Sequence, residues 1–168
     1  MMWVLIASEL LVFGAALLAF SGARAFDPAG FALAQAQLDR FTGLLNVMVL
    51  VTSGLFAALG VAAVRVHKPG VARLHLALAS LLGLVFLGFK IAEYRAEFAA
   101  GISFESGTFF TLYFLITGFH ALHVVLGIII LAIVGVFATP ENVETGAAFW
   151  HMVDLVWLLV FPVVYLIR

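Results

Sequence analysis

Charged residues in this chain are spaced too far apart for a water-soluble fold. Ser106 to Thr139 contains no Asp, Glu, Lys or Arg, and neither does Phe41 to Val64. A helix of about 20 apolar residues crosses the roughly 30 Å hydrocarbon layer of a bilayer, where no water can satisfy an irregular backbone. Such stretches therefore predict membrane-spanning helices. Three more follow by the same criterion: Met1 to Ala23, interrupted only by Glu9; Leu74 to Phe89, running on to Lys90 and Glu93; and Thr145 to Ile167, holding only Asp154. The expected fold is all-α, a polytopic membrane protein in which residues 1–168 form one domain, a bundle of five transmembrane helices.

Composition narrows the function classes. Hydrophobic residues make up 65% of the chain and charged ones 10%, against roughly one half and one quarter in soluble domains. A net charge of −1, with no basic patch or base-stacking motif that points to nucleic acid, sets that partner aside. The chain has no cysteine, so disulfides, cysteine-ligated zinc and thiolate-held iron–sulfur clusters are excluded. A redox centre would have to use His or carboxylates.

The connections are short. Only Arg24 to Arg40 has room for structure, and Phe31 to Leu38, after Pro28-Ala29-Gly30, is expected to form a short surface helix. Met2 to Phe20 has no basic residue before it and carries Glu9, so it is expected to be a retained span and not a signal peptide. Pro28, Pro69 and Pro140 are placed in loops; Pro162 falls inside the last span, where a neighbouring helix must satisfy the freed carbonyl. No internal repeat suggests an inverted-repeat transporter. Arg65, Lys68 and Arg73 crowd the second loop, whereas Arg24, Arg40, Arg95 and Arg168 are scattered over the opposite side. By density of basic residues the second loop is cytoplasmic, which puts the N-terminus inside and the C-terminus outside.

Polar side chains within the spans carry what function the sequence reveals, because an ionisable group at the bilayer centre costs roughly 2.5–3.5 kcal/mol on insertion scales. His120 and His123 are three residues apart, as are His151 and Asp154, and Glu9 stands alone in the first span. Three readings are open. The pairs could ligate a metal or haem, although a di-iron site would need more carboxylates than Glu9 and Asp154 provide. All five residues could form a proton relay. The favoured reading is that they hydrogen-bond between helices and fix packing. Asn46, Thr52 and Ser53 are expected to do the same, with Gly54 and Ala58, and Gly118 and Gly127, allowing close helix approach. Lys90 and Glu93, one turn apart near a span end, predict a paired couple at the surface with a snorkelling lysine. Trp3, Trp150 and Tyr165 are expected at the membrane interface, with Trp157 packed deeper. Ser8 and Ser53 lie in apolar spans without a cue for an activating base, and no phosphate-binding loop is present. No residue is assigned as catalytic or as a metal ligand.

These motifs also carry a resemblance. Thr117-Gly118-Phe119-His120-Ala121-Leu122-His123 resembles the Thr-Gly-Phe-His-Gly-Leu-His signature of subunit III of haem-copper cytochrome c oxidases. Met2-Trp3 with Ile6-Ala7-Ser8-Glu9 is similar to that family's third helix with its buried glutamate, and Leu45-Asn46 through Ser53-Gly54 to its fourth. Glu93-Tyr94 resembles the pair closing its fifth helix, and Trp150-His151-Met152-Val153-Asp154-Leu155-Val156-Trp157 resembles its last. The usual subunit has seven helices, and this chain begins where the third would start. It is thus also similar to short subunits III and to five-helix proteins associated with bacterial nitric oxide reductase.

The resemblance implies a non-catalytic accessory subunit in a bacterial plasma membrane, packed on a catalytic haem-bearing subunit and supporting its stability or proton uptake. It implies no cofactor in this chain, phospholipid as a bound partner, and haem with copper or non-haem iron in the catalytic subunit. Glu9, Asn46, Glu93, His120, His123, His151 and Asp154 are then the buried polar residues that pack helices or handle protons.

Overall fold

A computed structural model describes residues 2–167. Its helices are α1 (Met2–Phe26), α2 (Pro28–Gln35), α3 (Arg40–Arg65), α4 (Pro69–Ala99), α5 (Thr108–Val136) and α6 (Pro140–Phe161), and a π-helical turn, Pro162–Leu166, extends α6. Among the described residues all five long helices are apolar enough to cross a membrane, and the chain is an all-α multi-pass membrane bundle. Arg168, counted above for orientation, lies outside the described residues.

Three of the four prolines do not sit in loops as expected. Pro28, Pro69 and Pro140 open α2, α4 and α6, because the first helical position needs no N–H and favours a fixed φ. Asp27, Asp39 and Thr139 cap α2, α3 and α6, accepting from the backbone N–H of Gly30, Phe41 and Asn142. At its far end α4 closes in a Schellman motif, with Gly101 at φ 82°, Gly101 N–H donating to Phe98 and Ile102 N–H to Glu97.

Pro162 is accommodated by a change of register. Lacking an N–H, it cannot continue the α-helical ladder, and the chain passes into an i→i−5 turn closed by Ile167 N–H on the Pro162 carbonyl at 2.9 Å. The carbonyls at this helix end are taken by side chains from two other helices. Arg24 at the end of α1 donates to Ile167 and Val163, and Gln35 of α2 donates to Val164 at 2.9 Å and Ile167 at 3.0 Å. A cation at a helix C-terminus also complements its dipole.

Short connections make sequential helices antiparallel, and polar contacts mark the two ends of the bundle. At one end Arg73 at the start of α4 reaches the carbonyls of Gly135 and Val136 at the end of α5, and Arg65 ending α3 pairs with Glu144 opening α6 at 2.8 Å. The other end gathers α2, the start of α3 and the termini of α1, α4 and α6.

Helix α6 is the axis of the bundle, packed by α3, α5 and α1. Trp150 and Tyr165, expected as interfacial anchors, are instead fully buried in it, as is Trp157. Trp150 fits because two helices present glycine to its ring. A Cβ added at Gly127 would lie 2.6 Å from Cε3 of Trp150, and one at Gly83 would lie 2.7 Å from Cη2. Replacing Gly127 by Ala is therefore expected to cost about 1–3 kcal/mol, the usual penalty of overpacking. Unfolding of the purified variant in mixed micelles measures it, and a variant as stable as the parent would show that the indole can move aside.

Candidate functional site

Polar side chains form a seam along the bundle interior. Its centre is an ion pair that the sequence placed at the surface. Lys90 is 1% exposed, and its ammonium donates to Glu93 Oε2 at 2.8 Å, the Tyr113 hydroxyl at 3.0 Å and the Tyr165 hydroxyl at 2.7 Å. Tyr113 and Tyr165 in turn donate to Glu93 Oε1 at 3.0 and 2.7 Å. An ammonium has three N–H donors, and all three are used. Rings of Tyr94, Tyr113, Trp157 and Tyr165 lie within 4.8–5.5 Å of the same nitrogen, adding cation–π attraction. Three helices, α4, α5 and the end of α6, are thus tied through four side chains in a closed network.

Three further links cross between helices. His123 Nδ1 lies 2.8 Å from the Phe119 carbonyl, which can only accept, so that nitrogen carries a proton. Its Nε2 lies 3.0 Å from Glu9 Oε2, so one proton is shared between the α5 imidazole and the α1 carboxyl. Glu9 is three-quarters buried, with 25% of its side chain exposed. Elsewhere, Trp150 Nε1 donates to Ser53 Oγ at 2.9 Å and Ser53 donates to the Ala79 carbonyl at 2.7 Å, joining α6, α3 and α4. Tyr94 and Thr117 join α4 to α5 at 2.6 Å.

The other expected residues are placed differently. His120 is fully buried and behaves as an aromatic: its ring stacks on Trp157 at 5.0 Å and meets Phe86 edge-on at 5.6 Å, and neither nitrogen has a hydrogen-bond partner among the described residues. Asp154 is buried where Gly54 leaves room for its carboxylate. His151 corrects the expectation of a buried group, because 46% of its side chain is exposed; its Nδ1 stands 3.9 Å from Asp154 Oδ2. It shares its face of α6 with Leu155 and Leu158, both exposed. Asn46 is buried without a hydrogen-bond partner, and exposed Thr52 bonds back to its own helix at Met48, so of the three α3 residues only Ser53 bridges helices directly. Among the described residues no three His, Cys, Asp or Glu side chains converge as a metal would require.

Sequence reasoning missed Tyr113, Gln35 and Glu97. The signal for Glu97 was its register: Leu76, Ala79, Gly83, Phe86, Lys90, Glu93 and Glu97, all buried, alternate at spacings of three and four along α4.

A five-span helical bundle joined by paired polar groups defines the class: a small polytopic membrane protein, most of whose described residues belong to five helices apolar enough to span a bilayer. The family model for cytochrome c oxidase subunit III matches residues 1–167, and the chain belongs to that family. A probable cytochrome c oxidase subunit 3 of Mycobacterium tuberculosis strain H37Rv is 31% identical over 98% of this chain and 85% of its own length. A heme-copper oxidase subunit I+III of Aeropyrum pernix is 31% identical over 99% of this chain but 22% of its own. The cytochrome c oxidase subunit 3 of Schizophyllum commune is 37% identical over 76% of this chain and 50% of its own. The chain thus spans half or less of several relatives it matches.

Proposed function

We propose that this chain is a non-catalytic accessory subunit of a bacterial haem-copper respiratory oxidase, packed on the haem-bearing membrane subunit and sustaining its stability or proton uptake. The observation that carries the reading is the closed Lys90–Glu93–Tyr113–Tyr165 network: its hydrogen-bonding groups serve one another and tie helices together. The relative named subunit I+III supports the choice of partner, since one chain there bears both subunit names. Oxygen reduction is preferred to nitric oxide reduction because the relatives carry oxidase names. Haem with copper then belongs to the partner, and phospholipid is expected around and between the subunits.

The basic cluster Arg65, Lys68 and Arg73 at one end of the bundle supports a cytoplasmic N-terminus and an external C-terminus. In the buried set, Glu9, Asn46, Glu93, His120, His123 and Asp154 act in packing, and His151, at the lipid face, is available to the partner subunit.

Affinity capture of the chain from native membranes in mild detergent is expected to bring down a haem-bearing subunit, whereas the isolated chain should show neither a haem spectrum nor stoichiometric copper, iron or zinc. A one-to-one metal content lost with His120→Ala would overturn the assignment. Glu9 separates packing from proton handling. Glu9→Gln can still donate its amide to His123 Nε2, so assembly and early turnover should stay near the parent's. Glu9→Leu leaves that nitrogen unpaired and should weaken assembly by about 1–3 kcal/mol. Loss of turnover in an intact Glu9→Gln complex would instead make Glu9 part of an obligatory proton path.

A further inference from the structure

A second acidic site adjoins the closed network, whose Glu93 lines the same cavity. At the end of the bundle where α3 begins and α4 ends, a cavity of about 340 Å³ is lined by Asp39, Thr42, Phe89, Ala96 and Glu97, among others. Glu97 is 7% exposed, and both of its carboxylate oxygens are buried without a hydrogen-bond partner among the described residues. The nearest buried cation on its helix face cannot serve it, because all three N–H donors of Lys90 are already committed. A buried carboxylate without a counter-charge is costly, and the cavity it lines is where a cation would enter. Hydrogen bonds, chiefly from the Thr42 hydroxyl and then from backbone N–H groups, hold the nearby Asp39 carboxyl below the usual carboxylate range, so a second negative charge stands at the mouth.

The geometry points to a binding site for a primary ammonium group in this cavity, held by Glu97 with Asp39 and covered by the Phe89 ring. A divalent metal is a poor fit, since no three carboxylate or imidazole groups converge among the described residues, and Mg2+ or Ca2+ would need about six oxygen ligands. An ammonium needs about three acceptors and gains from an aromatic face. Lys90 shows the same solution two helical turns deeper, with a carboxylate, two hydroxyls and ring faces around one nitrogen. Ala92, Ala96 and Ala100 keep the α4 wall of the cavity low, and Ala92 and Ala96 are exposed on the bundle surface. The ammonium can therefore come from a lipid headgroup lying against α4 or from a free amine in water.

Native mass spectrometry of the full chain tests this, with phosphatidylethanolamine, phosphatidylcholine and phosphatidylglycerol at equal mole fraction, with and without ethylammonium. A charge-assisted hydrogen bond corresponds to roughly a tenfold to hundredfold preference. Phosphatidylethanolamine is expected to be retained over the other two lipids by that factor, since the choline headgroup has no N–H and glycerol no charge. Displacement by ethylammonium would identify a free amine as the source and equally support the site. Glu97→Gln should erase the preference, and so should Ala96→Phe, which fills the cavity while leaving both carboxylates; Glu141→Gln at the opposite end should not. Unchanged circular dichroism controls for folding. A preference that survives both Glu97→Gln and Ala96→Phe, or amine probes bound no better than phosphatidylcholine, would overturn the proposal.

Discussion

Replacing Lys90 by Met is expected to destabilise the bundle by about 3–5 kcal/mol, the cost of removing one partner from a buried ion pair. Methionine fills much of the lysine stem's volume, so the loss is electrostatic. Glu93 would keep two tyrosine hydroxyls on Oε1 but lose the ammonium on Oε2, leaving a buried negative charge without its counter-charge. The pair as a whole is a different matter, because desolvation offsets much of its attraction. The double variant Lys90→Met with Glu93→Leu should therefore recover most of the lost stability, with Tyr113 and Tyr165, whose hydroxyls are already 3.4 Å apart, bonding to each other. Reversible unfolding in mixed micelles across the four-member cycle measures the coupling. A Lys90→Met variant within about 1 kcal/mol of the parent would mean that the pair contributes no more than an exposed one.

The spacing of charges was enough to define every span, because hydrocarbon punishes each unpaired charge and leaves few alternatives. It failed where one helix end was judged by its sequence position. Lys90 and Glu93 lie near the end of α4's apolar run and were read as surface groups, yet they continue the stripe that begins at Ala72 and Leu76 and stays buried through Glu97. Register, not distance from the span end, decided their burial. The same holds in α6. Trp150 and Tyr165 are expected in an interfacial belt, but α6 is surrounded on three sides, so Trp150 midway along it and Tyr165 at its end both meet protein. His151 and Asp154 do lie three residues apart, but the pair straddles the boundary between the buried face and the strip that carries Leu155 and Leu158. The link between Glu9 and His123 needed the packing of α1 on α5, which no local pattern encodes.

Replacing Trp150 by Ala is expected to cost about 3–5 kcal/mol, as for other buried large aromatics. The indole is fully buried, fills the notch opened by Gly83 and Gly127, and donates to Ser53. Its removal leaves a cavity where α3, α4, α5 and α6 meet, and rigid helices close on such a space only partly. Trp150→Phe separates the two contributions: it keeps most of the apolar contact but loses the N–H, so about 1 kcal/mol is expected from the missing hydrogen bond. Ser53 still donates to the Ala79 carbonyl in either variant, which limits the polar cost. The glycine notch predicts a coupling of opposite sign. With the indole gone, Gly127→Ala no longer meets Cε3 and adds a methyl group to an empty space, so it should become neutral or stabilising. A double-mutant cycle of Trp150→Ala and Gly127→Ala measures this directly, and additive effects would show that Gly127 is needed for something other than admitting that ring.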